Sequence, residues 1–198
     1  MSSNKTPTRT RILQATWNAL ENGDPDGVRM ADIAKSAGIS RQALYLHFPT
    51  RADLLAATTR HIDEMKGIDE RLALSRAAET GLDRLDAFAL AWGRYIPEIY
   101  GVARALMAMM DRDAEAHAAW TGRMNAFREG CKAAVKDLAR DGDLRTGLSQ
   151  PAATDLVAMI LSVRNWEYLR HERGWSQKRY ETMITGLLRD AVTLQRSE

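Results

Sequence analysis

The chain is 198 residues long, 45% hydrophobic and 27% charged with a net charge of +2, which is enough to bury a core without covalent staples. A single cysteine, Cys131, excludes an internal disulfide framework, and no apolar run approaches the ~18 residues that would cross a membrane. The opening stretch MSSNKTPTRT lacks the apolar segment of a secretory signal, so a reducing cytoplasm is the expected compartment. The charge is uneven: residues 1–60 carry eight Lys or Arg against five Asp or Glu (+3), and residues 61–198 carry 20 against 21 (−1). Lys5, Arg9 and Arg11 lie at or just before the first helix, where a flexible basic arm (residues 1–7) could reach a phosphate or a minor groove, the alternative being a solvated tail.

Apolar residues recur at helical spacing almost throughout, which predicts an all-α chain of about nine helices. The first runs from about Thr8 to Asn22 with Ile12, Leu13, Thr16, Trp17 and Leu20 on one face, stopping at Gly23 before a loop of Asp24, Pro25 and Gly27. Two short helices follow at about 31–36 and 41–48. Between them Gly38 supplies the left-handed backbone of a sharp corner, and Ser40 restarts the chain as an N-cap. Ile33, Ile39, Leu44 and Phe48 form an inward face. Arg41, Gln42, Tyr45 and Leu46 are left pointing outward, as a helix entering a major groove requires. Thr50 and Asp53 make a capping box for a helix over about 51–66. Its first turn holds Arg51, where a cation opposes the helix dipole unless a phosphate lies opposite. The turn-containing motif at 30–49 thus reads as a DNA-binding device, with a structural helical hairpin as the bland alternative. A boundary inside this helix or at Gly67 gives a three-helix DNA-binding head over 8–66 and a larger helical body over 67–198.

In the body, residues 68–79 have no clear order. Thr80 and Asp83 then cap a helix that buries Leu85, Phe88, Trp92, Tyr95 and Ile99 and should kink at Pro97. A short Met-rich helix near 102–111 precedes a long one near 114–140 with Trp120, Met124, Phe127, Cys131, Val135 and Leu138 in one stripe. After the turn DGDLRTG, Pro151 opens a helix to about 172 that carries Leu156, Met159, Ile160, Val163, Trp166 and Leu169. Gly174 ends it. Ser176 caps the last helix, to about 194, with Tyr180, Met183, Ile184, Leu187, Leu188, Ala191 and Val192 in a broad stripe.

At IA (33–34), AGIS (37–40), LYLHFPTR (44–51) and Leu54 the chain resembles the tetracycline-repressor (TetR) family of bacterial transcriptional regulators. The resemblance implies base-edge roles for Arg41, Gln42 and Tyr45 and phosphate roles for His47 and Arg51. Met30 stands where the family usually has a Thr that caps the second helix and touches phosphate. Gln42 and Ala43 stand where Gly and Thr are common, which removes a second hydroxyl, although Gln42 can bond adenine at N6 and N7. The resemblance also implies a four-helix dimer bundle from residues 151–194, and the apolar stripes there are wider than one-sided packing needs. Leu156, Met159, Val163, Tyr180, Ile184, Leu187, Leu188 and Ala191 are the candidate homodimer contacts. Two heads related by a two-fold axis would sit on successive major grooves, about 34–36 Å apart, on a roughly palindromic double-stranded operator.

A small-molecule effector is implied in the same way. Phe88, Trp92, Tyr95, Met107, Met110, Trp120, Met124, Phe127 and Trp166 are candidate pocket walls, although aromatic and Met stripes at helical spacing are usually core packing. The expected function is a dimeric repressor released from its operator by a small, largely apolar or aromatic effector. A ligand-independent regulator, or an activator, of the same fold is the alternative. An enzyme is not expected: the histidines at 47, 61, 117 and 171 are scattered, and there is no Gly-rich phosphate cradle or nucleophile elbow. Asp111, Asp113, Glu115 and His117 alternate along a helix end, and alternate residues do not share a face, although Asp113 and His117 could. Neither a metal nor a cofactor is expected.

Overall fold

The computed structural model describes residues 6–22 and 28–194; Lys5, Gly23, the Asp24–Pro25–Gly27 loop and most of the expected arm lie outside the described residues. The helices are α1 (Thr8–Glu21), α2 (Met30–Ser36), α3 (Arg41–His47), α4 (Arg51–Met65), α5 (Ile68–Arg71), α6 (Ala73–Arg76), α7 (Gly81–Met109), α8 (Ala114–Arg140), α9 (Gln150–Ile160), α10 (Val163–Glu167) and α11 (Gln177–Val192), with a π-helical turn at Tyr168–Glu172. Among the described residues the one extended pairing is a bridge between Leu144 and Thr193. The all-α expectation holds.

Helix ends in the head have local causes. Gly38 takes φ 66°, its amide donates to the Lys35 carbonyl at 3.1 Å, and the Ile39 amide donates to Ala34 at 3.0 Å. These two bonds close α2 and turn the chain. Ser40 Oγ then accepts from the Ala43 amide at 3.1 Å and starts α3. Thr50 and Asp53 form the full reciprocal box at the start of α4. Ile12, Leu13, Leu20, Ile33, Leu44, Phe48, Leu54 and Leu55 are buried, and Ile39 is half-buried.

Two compact units result, and they do not follow the linear order. One comprises Met1–Lys66 with Ile99–Arg123, the other Gly67–Glu98 with Met124–Glu198. The head is therefore compact together with the C-terminal part of α7 and the first part of α8.

Three expectations about the body's helices are corrected. First, α7 runs unbroken through Pro97, where two helices were expected. Proline removes the amide that would bond the carbonyl four residues earlier, and here that carbonyl, Gly93 O, accepts instead from Gln177 Nε2 at 3.0 Å. Second, the helix expected over 151–172 is broken. Ser162 caps α10 by accepting from the Asn165 amide at 3.2 Å, and the carbonyls freed at the break accept from Asn165 Nδ2 (Met159 O, 2.6 Å) and Trp92 Nε1 (Leu161 O, 2.9 Å). Third, residues 68–76 form the two single-turn helices α5 and α6.

In the second unit Phe127 stacks on Trp92, centroids 4.2 Å apart, and on Phe88 at 6.0 Å. Cys131, Val135, Leu138, Tyr180, Ile184 and Leu188 are buried. Burial pushes the Cys131 thiol up to about 12, so it is protonated at neutral pH and a poor nucleophile. A disulfide reagent at pH 8 is expected to label Cys131 no faster than the chain opens; labelling at the rate of an unstructured thiol, followed by absorbance, would show that the stripe is not closed.

Candidate nucleic-acid interface

Helix α3 buries Leu44, with Phe48 buried just beyond it, and turns Arg41, Gln42, Tyr45, Leu46 and His47 outward. Arg41 lies one helical turn from Tyr45, donates to its hydroxyl at 3.5 Å and sits 5.6 Å from its ring centre. The pair presents a cation and a phenol together at the start and middle of the helix, where base edges are met. Leu46 is 82% exposed, a large apolar side chain suited to a thymine methyl. Met30 is buried and Arg29 caps α2 without a side-chain bond, so the hydroxyl missing from the sequence has no substitute there.

Arg51 is placed differently from its expected phosphate role. Its side chain is 19% exposed; Nε donates to Val28 O at 2.6 Å, and Nη1 reaches Asp113 Oδ2 at 2.7 Å and Glu115 Oε2 at 3.3 Å. Glu115 Oε1 also accepts from the Ala52 amide at 3.2 Å. The two carboxylates thus relieve the dipole mismatch of a cation in the first turn of α4. Asp113 at the same time caps α8, its Oδ1 accepting from the Glu115 and Ala116 amides, both at 3.0 Å. Burial would raise the Asp113 carboxyl, but the Ala116 amide and Arg51 outweigh it and hold it below the usual carboxylate range. The acidic stretch 111–117 therefore contains a helix cap and an ion-pair partner, and neither role is visible from its spacing. Arg9 and Arg11 lie in the first turns of α1, as the expected start near Thr8 implies: Arg9 lies over the Phe48 ring at 4.9 Å, and Arg11 donates to Thr8 Oγ1 at 3.4 Å.

The candidate effector residues are dispersed. Phe88, Trp92 and Phe127 are stacked on one another, Tyr95 is fully buried, and the indole N–H of Trp166 is taken by Gln177 Oε1 at 3.1 Å, so these pack the second unit's core. Met124, also in that unit, and Met110, in the first, are half-buried, and Met107 in the first is buried. Trp120 alone of the nine lines the apolar pocket of the first unit, together with Thr59, Ile62, Ile99, Val102 and Leu106. The cavity itself is small, about 20 Å³, and the ion pair Asp63–Arg123 stands in its wall. Sequence reasoning missed it, since its members come from three separate segments.

Of the candidate dimer contacts, Val163, Tyr180, Ile184 and Leu188 are buried within the chain itself, which corrects their assignment to a surface. Leu156 and Ala191 are half-buried. Met159 and Leu187 are open, and Met183 joins them at 53% exposure.

A short helix held outward by a left-handed glycine corner, backed by a buried layer and followed by a capped helix, defines a helix-turn-helix DNA-binding protein. Residues 12–58 match the family described as bacterial regulatory proteins, tetR family. Over those residues the chain carries the DNA-binding domain of TetR-type transcriptional regulators. It is 28% identical over 167 residues to the nucleoid occlusion factor SlmA of Marinomonas sp. (strain MWYL1), covering 81% of this chain and 82% of that one. Among solved structures it shares the fold of NalD, the secondary repressor of the MexAB-OprM multidrug efflux pump in Pseudomonas aeruginosa (TM-score 0.68, 23% identity, 94% and 96% coverage). It also shares the fold of Bacillus subtilis FadR in complex with stearoyl-CoA (TM-score 0.71, 14% identity, 90% and 96% coverage). None of the described helices is long and apolar enough to cross a membrane.

Proposed function

We propose that the chain is a cytoplasmic homodimeric repressor that binds a roughly palindromic operator through α3 and is released by a small, largely apolar effector. The observation that carries this reading is the outward face of α3, where Arg41, Gln42, Tyr45 and Leu46 are exposed together. Residues 8–66 are the DNA-binding part and 67–198 the effector and dimer part. Dimerisation is supported by Met159 on α9 and Met183 and Leu187 on α11, each more than half exposed. An effector is supported by the small apolar pocket behind α4 and by the acyl-CoA that FadR holds. His47 at the end of α3 is a candidate phosphate contact.

A ligand-independent regulator is the second reading, favoured by the stacked Phe88–Phe127–Trp92 cluster that fills the second unit where a cavity was expected. The test of the DNA reading is selection of bound genomic fragments by the purified protein, followed by titration of the selected site. Arg41→Ala is expected to weaken binding to that site by roughly 10- to 100-fold while changing affinity for random DNA far less, because a bidentate base contact discriminates by about 1–3 kcal/mol. Equal losses on both DNAs would overturn the base-reading role of Arg41.

A further inference from the structure

In the second unit the pairing of charges breaks down over one short stretch. Elsewhere in that unit arginines lie against carboxylates, as in Arg71–Glu98, Arg84–Asp137, Arg128–Asp155 and Arg189–Asp86. From Val163 to Arg179 five Lys or Arg face two Glu. Arg164, Arg173, Lys178 and Arg179 are exposed there and form no ion pair among the described residues. Two of them lie over aromatic rings, Arg179 at 4.3 Å from the ring centre of Trp175 and Arg173 at 6.0 Å from that of Tyr168. The backbone beneath is fixed. The Trp175 amide donates to Leu169 O at 3.0 Å, the Arg173 amide donates to Tyr168 O at 2.9 Å, Gly174 takes φ 66°, and Arg170 Nη1 donates to the Trp175 carbonyl. These bonds close the π-helical turn at Tyr168–Glu172, a local geometry that recurs at functional sites.

We propose that the surface from Arg164 to Arg179 docks a short acidic segment of a partner protein. A guanidinium held over a ring keeps its N–H edges open to a carboxylate, which it grips through two parallel bonds, and its ordering is settled before the partner arrives. Arg, Trp and Tyr are also the residue types on which protein interfaces concentrate their binding energy. The limited extent of the patch selects the partner. The rest of the second unit carries 11 Lys or Arg against 14 Asp or Glu, so an extended nucleic acid or an anionic bilayer laid across it would meet net negative surface. A short peptide reaches the cations alone. The rings are not open to bases or lipid either, because each has a guanidinium over it. A second copy of the chain, across a two-fold axis at this surface, would set the patch against itself, like charge against like.

The test selects short random peptides, displayed on phage, on the full chain without DNA. The enriched peptides are then titrated by fluorescence anisotropy against wild type, the double variant Arg173→Gln/Arg179→Gln and the double variant Lys136→Gln/Arg145→Gln. Lys136 and Arg145 are likewise exposed and without an ion pair among the described residues, so the second variant loses the same charge outside the patch. Enriched peptides are expected to be rich in Asp and Glu and to bind the first variant about tenfold or more weakly, the loss of at least one charge-assisted contact. They should bind the second variant almost as tightly as wild type. No enrichment, peptides without an acidic excess, equal losses in the two variants, or no loss in the first would each overturn the proposal. A short single-stranded oligonucleotide or phosphatidylglycerol vesicles binding more tightly than the peptides, with that binding lost only in the first variant, would replace the protein partner with a nucleic acid or a membrane. A change of sedimentation in the first variant alone would assign the patch to contact between copies and overturn the proposal as well.

Discussion

Gly81→Ala is expected to destabilise the protein by about 2–3 kcal/mol, although alanine is the better helix former by about 1 kcal/mol. Gly81 opens α7 against the last turns of α8. A Cβ there would lie 2.4 Å from Leu138 N, 2.5 Å from its Cα and 2.6 Å from the Asp137 carbonyl carbon, all of them backbone atoms. Carbon atoms pack at about 3.5–4.0 Å, so the helices would have to part by roughly 1 Å. The contacts that would be strained are specific: the Gly81 amide donates to Asp141 Oδ2 at 2.6 Å, Arg84 pairs with Asp137 at 2.6 Å, and Leu138 is fully buried. The internal control is Gly122→Ala, where a Cβ would meet nothing within 4 Å and the propensity gain should appear unopposed. Urea unfolding at one fixed protein concentration reads both variants. A higher midpoint for Gly81→Ala at unchanged slope would show that the ends of α7 and α8 do not touch as described.

The comparison of these two glycines reflects what the sequence does and does not disclose. In the head, Gly38, Ser40, Thr50 and Asp53 each act on groups within a few residues of themselves, so the corner and both caps could be read directly. Features decided at long range could not. Pro97 marks a break in any local reading, and what carries the helix through it is an amide from Gln177, eighty residues on. At Ser162 the break is supported from afar, since Trp92 takes the Leu161 carbonyl beside it. The broad stripe of α11 was legible as apolar but not as two surfaces: Tyr180, Ile184 and Leu188 face the core, while Met183 and Leu187 are left open. The aromatic residues fail in the same way. Trp92 and Trp120 are alike in sequence, and only packing makes one a stacked core residue and the other a pocket wall.

Arg51→Ala is expected to lower stability by about 1–3 kcal/mol while leaving the salt dependence of operator binding almost unchanged. A free phosphate contact would give the reverse, a slope reduced by about one ion and little change in stability. The first outcome follows from the partners: Val28 O, Asp113 and Glu115 occupy the guanidinium, which is 19% exposed, and its removal leaves two carboxylates beside the start of α4 without their cation. A double-mutant cycle with Asp113→Asn isolates the pair, since asparagine keeps the cap on α8 but not the charge. The pH dependence gives an independent check. The Asp113 carboxyl is held below its unfolded value of about 3.9, so the folded state binds fewer protons than the unfolded state between the two. Its contribution is therefore complete above the unfolded value and is lost as pH falls through the lowered folded value. The stability difference between wild type and Asp113→Asn should shrink over that acid window. A difference that stays constant from pH 6 down to about pH 2, measured by chemical unfolding, would mean that neither the Ala116 amide nor Arg51 holds the Asp113 carboxyl down.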